Sequence, residues 1–330
     1  PVAHSFPTRR SSDLVVELSI KFKQLNEIPA EISKFFRLEK LDLSRNNIQH
    51  IEHLENLHTL RSLNLVENKI REMQGIDKLS TLRKLDLADN EIIEIENLYN
   101  LKDLKELVLS RNKIRKIEGL GNLKDLKVLK LNNNPIYGIE NLENLKNVET
   151  LLLSRANVAK IQGLDGLSNL RELDLASNEI KKIEGLDNNL LLRKLNLKNN
   201  EIREIENLEH LNHLETVHLE FNPLVPEDKP HVGKSGKEIR QWIKKKVKIH
   251  QEKAREEAEK QRKIQEQIDE ELSFETVISG FSKSNGGAGN SDRARAEIAS
   301  QSAKKQSNKA SPFADVPENV VVRSEEHTSE

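Results

Sequence analysis

Cysteine is absent from this 330-residue chain, and aromatic residues make up only 3% of it. The absence of cysteine excludes disulfides, thiolate metal sites and a cysteine nucleophile, and it is typical of a reducing compartment. We therefore expect a cytoplasmic or nuclear protein. With so few aromatic residues, the core must be aliphatic. No apolar run approaches the roughly 18 residues of a membrane helix, so the sequence predicts no membrane span.

Charged residues are abundant but balanced, at 32% of the chain with a net charge of -1. The chain as a whole therefore has no bias toward nucleic acid or anionic lipid, and any such bias must be local. No serine–histidine–acid arrangement and no glycine-rich phosphate loop stands out. The histidine pairs His50/His53 and His210/His213 lack a third ligand. We predict a protein that is not an enzyme and that holds no metal and no cofactor.

Both ends of the chain resemble translated sequencing-library adapters. The stretch SFPTRRSSDL (5–14) matches one adapter, and RSEEHTSE (323–330) matches the opposite one. A secretory or twin-arginine signal would need an apolar segment after the paired arginines, and none follows. We therefore interpret 1–14 and 323–330 as artefactual, with the natural sequence running from Val15 to Val322.

A 22-residue repeat with the template LxxLxLxxNxIxxIxxLxxLxx fills the middle of the chain. Its alternating LxLxxN part predicts a short strand, and the later apolar residues, three apart, predict a tight, partly 3₁₀ return segment. One unit cannot bury its apolar stripe alone, so the units must stack at about 4.8 Å. Complete units begin, without insertions, at Leu38, Leu60, Leu82, Leu104, Leu126, Val148, Leu170 and Leu192, and an incomplete one begins at Leu214.

One asparagine recurs in every unit but one. Its amide offers both donors and an acceptor to backbone groups left bare where the strand turns, so we expect a buried ladder. Its members are Asn46, Asn68, Asn90, Asn112, Asn134, Asn178, Asn200 and Asn222. Ala156 interrupts it, and we expect unpaired backbone groups there, costing roughly 1–3 kcal/mol, unless water or Asn157 substitutes. Asn189 stands at an inward leucine position, which we expect Leu190 to fill through a local distortion.

The unit LKELVLSRNKIRKIEGLGNLKD (104–125) resembles the 22-residue class of leucine-rich repeats found in the nuclear regulatory subunits of protein phosphatase 1. The resemblance covers about residues 38–224. It implies an α/β fold, a curved leucine-rich-repeat solenoid with a parallel β-sheet on the concave face and short 3₁₀ or helical turns on the convex face. It also implies a protein partner, a phosphatase or another signalling protein. In those relatives the concave surface is rich in acids and aromatics, whereas here no aromatic residue occupies the central outward position.

The outward positions of the strands do not contribute to the core, so a binding surface is easiest to recognise there. The central outward position is polar in the end units and apolar in the middle ones. An apolar centre with arginines at its rim is typical of protein contacts, whereas scattered surface apolar residues are the alternative. We predict partner binding by Val108, Arg111, Val128, Lys130, Leu152 and Arg155. On the convex side, basic residues such as Arg115 and Lys116 precede recurring glutamates, which we interpret as surface ion pairs.

The segments on either side of the repeats suggest caps. Residues 15–37 form a degenerate unit with Lys23 at the asparagine position, either an N-terminal cap or a weak repeat. Ser235 and Glu238 form a capping-box pattern, and Ile239, Trp242 and Ile243 then follow at helical spacing, which predicts a helix that covers the C-terminal end. We therefore divide the chain into a solenoid (38–231), a capping and charged helix (232–272) and a disordered tail (273–330).

Two functions follow from this organisation. The first is a monomeric, non-catalytic protein–protein interaction scaffold or regulatory subunit that binds its partner on the concave face. The alternative is an adapter whose basic helix, 234–248, contacts a membrane surface or nucleic acid. That segment carries seven lysines and arginines against one glutamate. Its sequence GKS (233–235) does not make a phosphate loop, because Asp228 stands where such a loop needs glycine.

Overall fold

The structure is a computed structural model that describes residues 15–284, with side chains described for 15–270. The proposed adapter segments and the tail beyond Ser284 lie outside the described residues. The chain divides after Glu252 into two compact units. No helix among the described residues is long and apolar enough to cross a membrane.

Ten short strands form one parallel sheet in which the spatial order equals the chain order. The strands are β1 Glu17–Ser19, β2 Lys40–Asp42, β3 Ser62–Asn64, β4 Lys84–Asp86, β5 Glu106–Val108, β6 Val128–Lys130, β7 Thr150–Leu152, β8 Glu172–Asp174, β9 Lys194–Asn196 and β10 Thr216–His218. We number the repeat units after their strands, so the degenerate unit at 15–37 is unit 1. Equivalent residues of adjacent units pair directly, as Leu107 does with Leu129. The predicted parallel solenoid is confirmed.

The core is a continuous aliphatic column inside the stacked units. In unit 5, Leu107 and Leu109 point inward from the strand region, and Ile114, Ile117 and Leu120 point inward from the return segment, all with 0% exposure. The return segments are mostly turns, with 3₁₀ helices at Ala30–Lys34 and Ile76–Lys78. The inward residues of the strand and those of the return segment thus form one apolar surface, which only neighbouring units can cover.

The ladder asparagines connect three backbone segments each. The Asn112 Nδ2 donates to the carbonyls of Leu87, 2.9 Å away in the preceding unit, and of Leu109, 3.0 Å away. Its Oδ1 accepts the Ile92 N–H at 2.9 Å. The other ladder asparagines from Asn68 to Asn222 repeat this pattern, and Asn46 bonds in the same way to unit 1. Each amide therefore satisfies groups that a β-turn would otherwise leave bare in the interior.

A left-handed backbone position on the convex side explains why the sequence alternates between IEGL and IENL. At Gly119, with φ of 70°, a Cβ atom would lie 2.4 Å from the Ile95 carbonyl oxygen of the preceding unit. Where asparagine stands instead, as at Asn141, its Nδ2 donates to the equivalent carbonyl, that of Ile117, at 2.7 Å. Glycine and asparagine are the residues that best tolerate this conformation.

The expectation for Leu190 is wrong. Asn189 itself occupies the inward leucine position with 0% exposure, and Leu190 is 52% exposed. The local backbone is not shifted, because the Asn189 N–H donates to the Leu186 carbonyl and the Asn189 carbonyl accepts from the Leu192 N–H, as at the equivalent leucines of other units. Its Nδ2 donates to the carbonyls of Leu164 and Leu167, while its Oδ1 has no partner among the described residues.

The helix α1, Gly236–Ser284, begins against the last strand. Ser235 pairs with Thr216 of β10, the Gly236 N–H donates to the Glu215 carbonyl at 2.8 Å, and Arg240 donates to the Leu214 carbonyl. The capping box is present, with Ser235 N–H donating to the Glu238 carboxylate at 3.0 Å. Backbone groups at the open edge of the sheet are therefore partly satisfied by the start of the helix.

Ile239, Trp242 and Ile243 lie where the sequence placed them, on the side of α1 that packs against the solenoid. Ile239 and Ile243 are buried, and the half-buried Trp242 stacks on His231 with ring centroids 4.1 Å apart. From Lys253 on, α1 carries pairs one helical turn apart, such as Arg262 with Glu266.

The predicted helix end at 272 is wrong, because α1 continues to Ser284. Residues 273–284 contain no proline and one isolated glycine, Gly280, so nothing in their sequence stops the helix before the glycine-rich run that starts at Gly286.

Candidate functional site

The six predicted contact residues lie on three adjacent units, 5, 6 and 7. Val108, Lys130 and Leu152 are direct register partners at the ends of β5, β6 and β7. Val128 precedes Lys130 by two residues on the same face of β6. Arg111 and Arg155 follow their strands by three residues. We call the outward face of the sheet across these units the central concave face.

The central outward position has a structural role elsewhere in the sheet. In units 2, 3, 4, 8 and 9, its side-chain oxygen accepts the backbone N–H two residues ahead, a local turn bond that aspartate and asparagine make well. The accepting residues are Asp42, Asn64, Asp86, Asp174 and Asn196. These outward side chains thus stabilise the turn after the strand, whereas the sequence led us to expect no structural role for them. Units 5 to 7 carry valine, lysine and leucine there, which cannot make that bond.

The apolar centre is smaller than the sequence suggests. Val108 is only 7% exposed, so it offers a partner little surface, while Val128 and Leu152 are half-buried. Lys130 lies in register between Val108 and Leu152, and its ammonium bonds to Glu106 on β5 at 3.3 Å. The accessible apolar surface of the central concave face therefore comes from Val128 and Leu152.

Two carboxylates on adjacent strands, Glu106 of β5 and Asp86 of β4, have opposite pKa shifts. Burial alone would raise the pKa of Glu106, but the hydrogen bonds and charges of Lys84 and Lys130 outweigh it and lower that pKa. Burial raises the pKa of Asp86, against a weaker contribution from its bond to the Ala88 N–H. Glu106 is thus a carboxylate whose ionised form is stabilised by two lysines.

The two arginines differ in how they are held. Arg111 pairs with Asp89 of the preceding unit at 3.3 Å. Arg155 is exposed and takes part in no ion pair among the side chains described for 15–270. Next to it, the Ser154 N–H and hydroxyl donate to the Asn132 Oδ1 at 2.8 and 3.1 Å, replacing the turn bond that Leu152 cannot make. Arg155 is thus a cation on a well-fixed backbone, available to a carboxylate from outside.

The ladder break at Ala156 is compensated locally. In other units the corresponding N–H donates to the asparagine of the next unit, but the Ile136 N–H turns back to the Asn134 carbonyl at 2.8 Å. Neither water nor the Asn157 side chain is needed for that donor, contrary to the expectation. Pro135 also lacks an N–H, so it makes no bond to the Ile114 carbonyl of the preceding unit.

The structure assigns roles to residues that sequence reasoning passed over. Asp228 is fully buried and accepts from Trp242 Nε1 at 2.8 Å, from the Ile205 N–H at 2.7 Å and from Lys246 Nζ at 2.9 Å. The Lys246 ammonium also lies 3.4 Å from Glu204 and 3.4 Å from Glu227. Lys246 follows Ile239 by seven residues, so helical spacing could have placed it on the buried face.

Burial alone would lower the pKa of Lys246, but the hydrogen bond and charge of Asp228, followed by those of Glu204, outweigh it and raise that pKa. Lys246 therefore belongs to the cap and is lost from the exposed basic surface of the helix. The described residues contain no group of three or more histidine, aspartate or glutamate side chains arranged to hold a metal.

Comparison with known families agrees with this geometry. A family model described as Leucine-rich repeat matches residues 79–178, and a second, Leucine Rich Repeat, matches residues 37–57. The fold is a leucine-rich-repeat solenoid. No curated protein has detectable similarity to the chain.

Solved leucine-rich-repeat structures share the architecture. Internalin C2 from Listeria monocytogenes is 25% identical with a TM-score of 0.53, and the match covers 64% of this chain and 84% of the internalin chain. The functional domain of InlJ from Listeria monocytogenes is 21% identical with a TM-score of 0.58, and the match covers 66% of this chain but 46% of that one. A chain of the octameric complex of Latrophilin 3, Unc5D and FLRT2 (LRR) is 25% identical with a TM-score of 0.57. That match covers 64% of this chain and 69% of the other.

Proposed function

We propose that this chain is a non-catalytic scaffold that binds a protein on the central concave face. The observation that carries the proposal is the run of three adjacent units in which the central outward residue makes no local turn bond. Val108, Lys130 and Leu152 occupy those positions. A solenoid that needed only stability would keep aspartate or asparagine there, as five other units do.

The composition of the face supports a protein partner. Val128 and Leu152 supply accessible apolar surface beside Arg155, and arginine next to desolvated apolar groups is enriched at protein interfaces. The polar ends of the sheet would form a rim that keeps water out of the centre. Among the similar structures, the leucine-rich-repeat protein FLRT2 is seen in a complex with Latrophilin 3 and Unc5D. By analogy, we expect this solenoid to bind a protein as well.

The test is affinity capture followed by mass spectrometry, with wild type and the double variant Leu152→Asp, Arg155→Glu. We expect the variant to lose the specific partner, because a carboxylate replaces an apolar anchor and the arginine charge is reversed. A matched control is His218→Asp, Asn199→Glu, which places carboxylates at the same two columns near the end of the sheet. An unchanged partner list for the first variant, or equal losses in both, would contradict the proposal.

The alternative of a basic-helix adapter gains no comparable support. Ile239 and Ile243 are buried against the solenoid, Lys246 is held by Asp228, and Arg240 bonds to the Leu214 carbonyl. The apolar face that would enter a membrane is therefore already covered by protein.

A further inference from the structure

The return segments of units 5 to 7 form a second surface, which we call the basic flank: Arg115, Lys116, Tyr137 and Lys160. Arg115 and Tyr137 occupy equivalent positions of units 5 and 6, while Lys116 and Lys160 occupy equivalent positions of units 5 and 7. All four are exposed. The segments stack at about the strand spacing of 4.8 Å, as the 2.9 Å bond from the Asn157 N–H to the Ile136 carbonyl shows for units 6 and 7.

Positive charge is concentrated here although the whole chain carries a net charge of -1. The stretches 113–118, 135–140 and 157–162 contain four lysines and arginines against two glutamates, Glu118 and Glu140. Arg115, Lys116 and Lys160 take part in no ion pair among the side chains that the structure describes. In unit 8 the equivalent Lys181 is instead balanced by Glu201 at 3.7 Å. The expected pairing of basic residues with convex glutamates therefore fails at the basic flank.

Tyr137 is the feature that surface ion pairing cannot explain. Its side chain is 62% exposed between the cations of units 5 and 7. Pro135 stands two residues before it and Gly138 follows it, and two inter-unit hydrogen bonds that other units make are missing there. The ring is exposed, and its segment makes fewer backbone hydrogen bonds to the neighbouring units. Neither feature stabilises the solenoid. Tyrosine beside arginine and lysine is a common composition of recognition surfaces.

We propose that the basic flank binds an acidic peptide segment of a partner protein. Carboxylates of the peptide would face Arg115, Lys116 and Lys160, and an apolar side chain would lie on the Tyr137 ring. Two unit spacings cover about 10 Å, a distance that three or four extended residues span. This site does not depend on the central concave face, and either surface can be occupied without the other.

Nucleic acid fits the surface less well. Glu118 and Glu140 lie within the basic flank, and unit 4 next to it carries Glu91, Glu94 and Glu96. A phosphate backbone tracks a long continuous positive groove, and here it would run onto these carboxylates. A short peptide can place its charges between them.

The experiment uses a fluorescein-labelled peptide of about eight residues with alternating glutamate and leucine, which spans roughly 26 Å when extended. Fluorescence anisotropy at low ionic strength should show saturable binding to the full chain. The variant Arg115→Glu, Lys116→Glu should weaken it at least about tenfold, whereas the matched control Lys181→Glu, Lys182→Glu should change it less than about twofold. Added salt should weaken wild-type binding, because the contact is made by exposed charges.

The two tyrosines of the chain provide a second matched pair. Tyr137→Ser should reduce affinity several-fold, while Tyr99→Ser should leave it unchanged, because Tyr99 lies in unit 4 with its hydroxyl 3.4 Å from Asp77. The same peptide with lysine for glutamate should not bind wild type but should bind Arg115→Glu, Lys116→Glu. That gain shows that binding follows the sign of the charge at these two positions.

Three results would overturn the proposal. One is no saturable binding of the glutamate peptide by wild type, and another is an equal loss in the Lys181, Lys182 control. The third is an oligothymidylate of equal charge binding as tightly and losing affinity in the same variant, which would assign the site to nucleic acid. Leu152→Asp should leave peptide binding unchanged, so failure of this site is distinguishable from failure of the concave-face proposal.

Discussion

At the scale of single residues, buried asparagine has two opposite roles in this solenoid. Asn178 donates to the carbonyls of Leu153 and Leu175 and accepts from the Val158 N–H, so each polar atom serves a backbone group that needs a partner. Asn189 donates to the carbonyls of Leu164 and Leu167, but those already accept from backbone N–H groups, and its Oδ1 has no described partner. The first asparagine is structurally required and the second is a buried polar group whose acceptor is unmet.

We predict that Asn189→Leu stabilises the protein by about 1–3 kcal/mol, because it removes an unsatisfied buried acceptor and restores the leucine of the template. Urea unfolding followed by circular dichroism measures the change.

The matched comparison is Asn178→Leu. It should lower the free energy of unfolding by on the order of 3 kcal/mol, because it leaves buried backbone groups without partners. A destabilised Asn189→Leu variant would mean that the two carbonyl contacts of Asn189 outweigh its unmet acceptor.

At the scale of elements, one buried carboxylate joins the first turns of α1 to the solenoid, in addition to the bonds that Gly236 and Arg240 make to backbone carbonyls. Asp228 receives hydrogen bonds from Trp242 and Lys246 of the helix and from the Ile205 backbone of unit 9. Packing of Ile239 and Ile243 buries apolar surface, but this contribution does not depend on direction and does not fix the orientation of the helix. The orientation of the cap therefore depends in part on a buried ion pair, and removing one partner of such a pair is strongly destabilising.

We predict that Asp228→Asn destabilises the cap by about 3 kcal/mol, because the ammonium of Lys246 stays buried without its nearest carboxylate. The fluorescence of Trp242, the single tryptophan of the chain, reports on the cap directly.

Glu227→Gln is the control for that variant. Glu227 is exposed and lies 3.4 Å from the same ammonium, so its loss should cost less than about 1 kcal/mol. Equal effects of the two substitutions would show that total charge, and not the buried contact, holds the helix.

At the scale of the whole solenoid, stability is distributed over contacts between neighbouring units. The contact between units 6 and 7 lacks the asparagine amide at Ala156, and the one between units 5 and 6 lacks the Pro135 N–H. Two hydrogen bonds of the repeat pattern are thus missing in the middle of the stack. The same units carry both proposed binding surfaces.

We predict that the Ile136 amide exchanges its hydrogen faster than the Ile114 amide in native-state hydrogen exchange. The first bonds only to the nearby Asn134 carbonyl at 2.8 Å, whereas the second bonds across units to the Asn134 Oδ1 at 3.1 Å. Ala156→Asn should slow exchange at Ile136 and stabilise the solenoid by about 1 kcal/mol. Similar exchange at both amides in wild type would argue against a weaker contact at this place.

The fold was largely predictable because repetition multiplies a weak local signal. A single LxLxxN stretch is too short to identify a strand, but many copies at a constant interval allow only a stack with a shared core. The candidate site was less predictable, because exposure depends on neighbours in adjacent units. Val108 appears exposed from its place in the strand, yet surrounding side chains leave it 7% exposed. Tyr137 lies at a position where the template has no preference, so nothing in one unit marked it.

The sequence by itself determined the number of units, the parallel order of the strands and the asparagine ladder, since each follows from a period of 22 residues. Only the tertiary structure decided that Asn189 stays in the core, that Lys246 is buried in the cap, and that the Ile136 N–H finds another acceptor where Ala156 breaks the ladder. The physical reason is that periodic burial is a property of each residue's own position. Charge pairing and hydrogen-bond rescue depend on which atoms distant segments bring within about 3 Å.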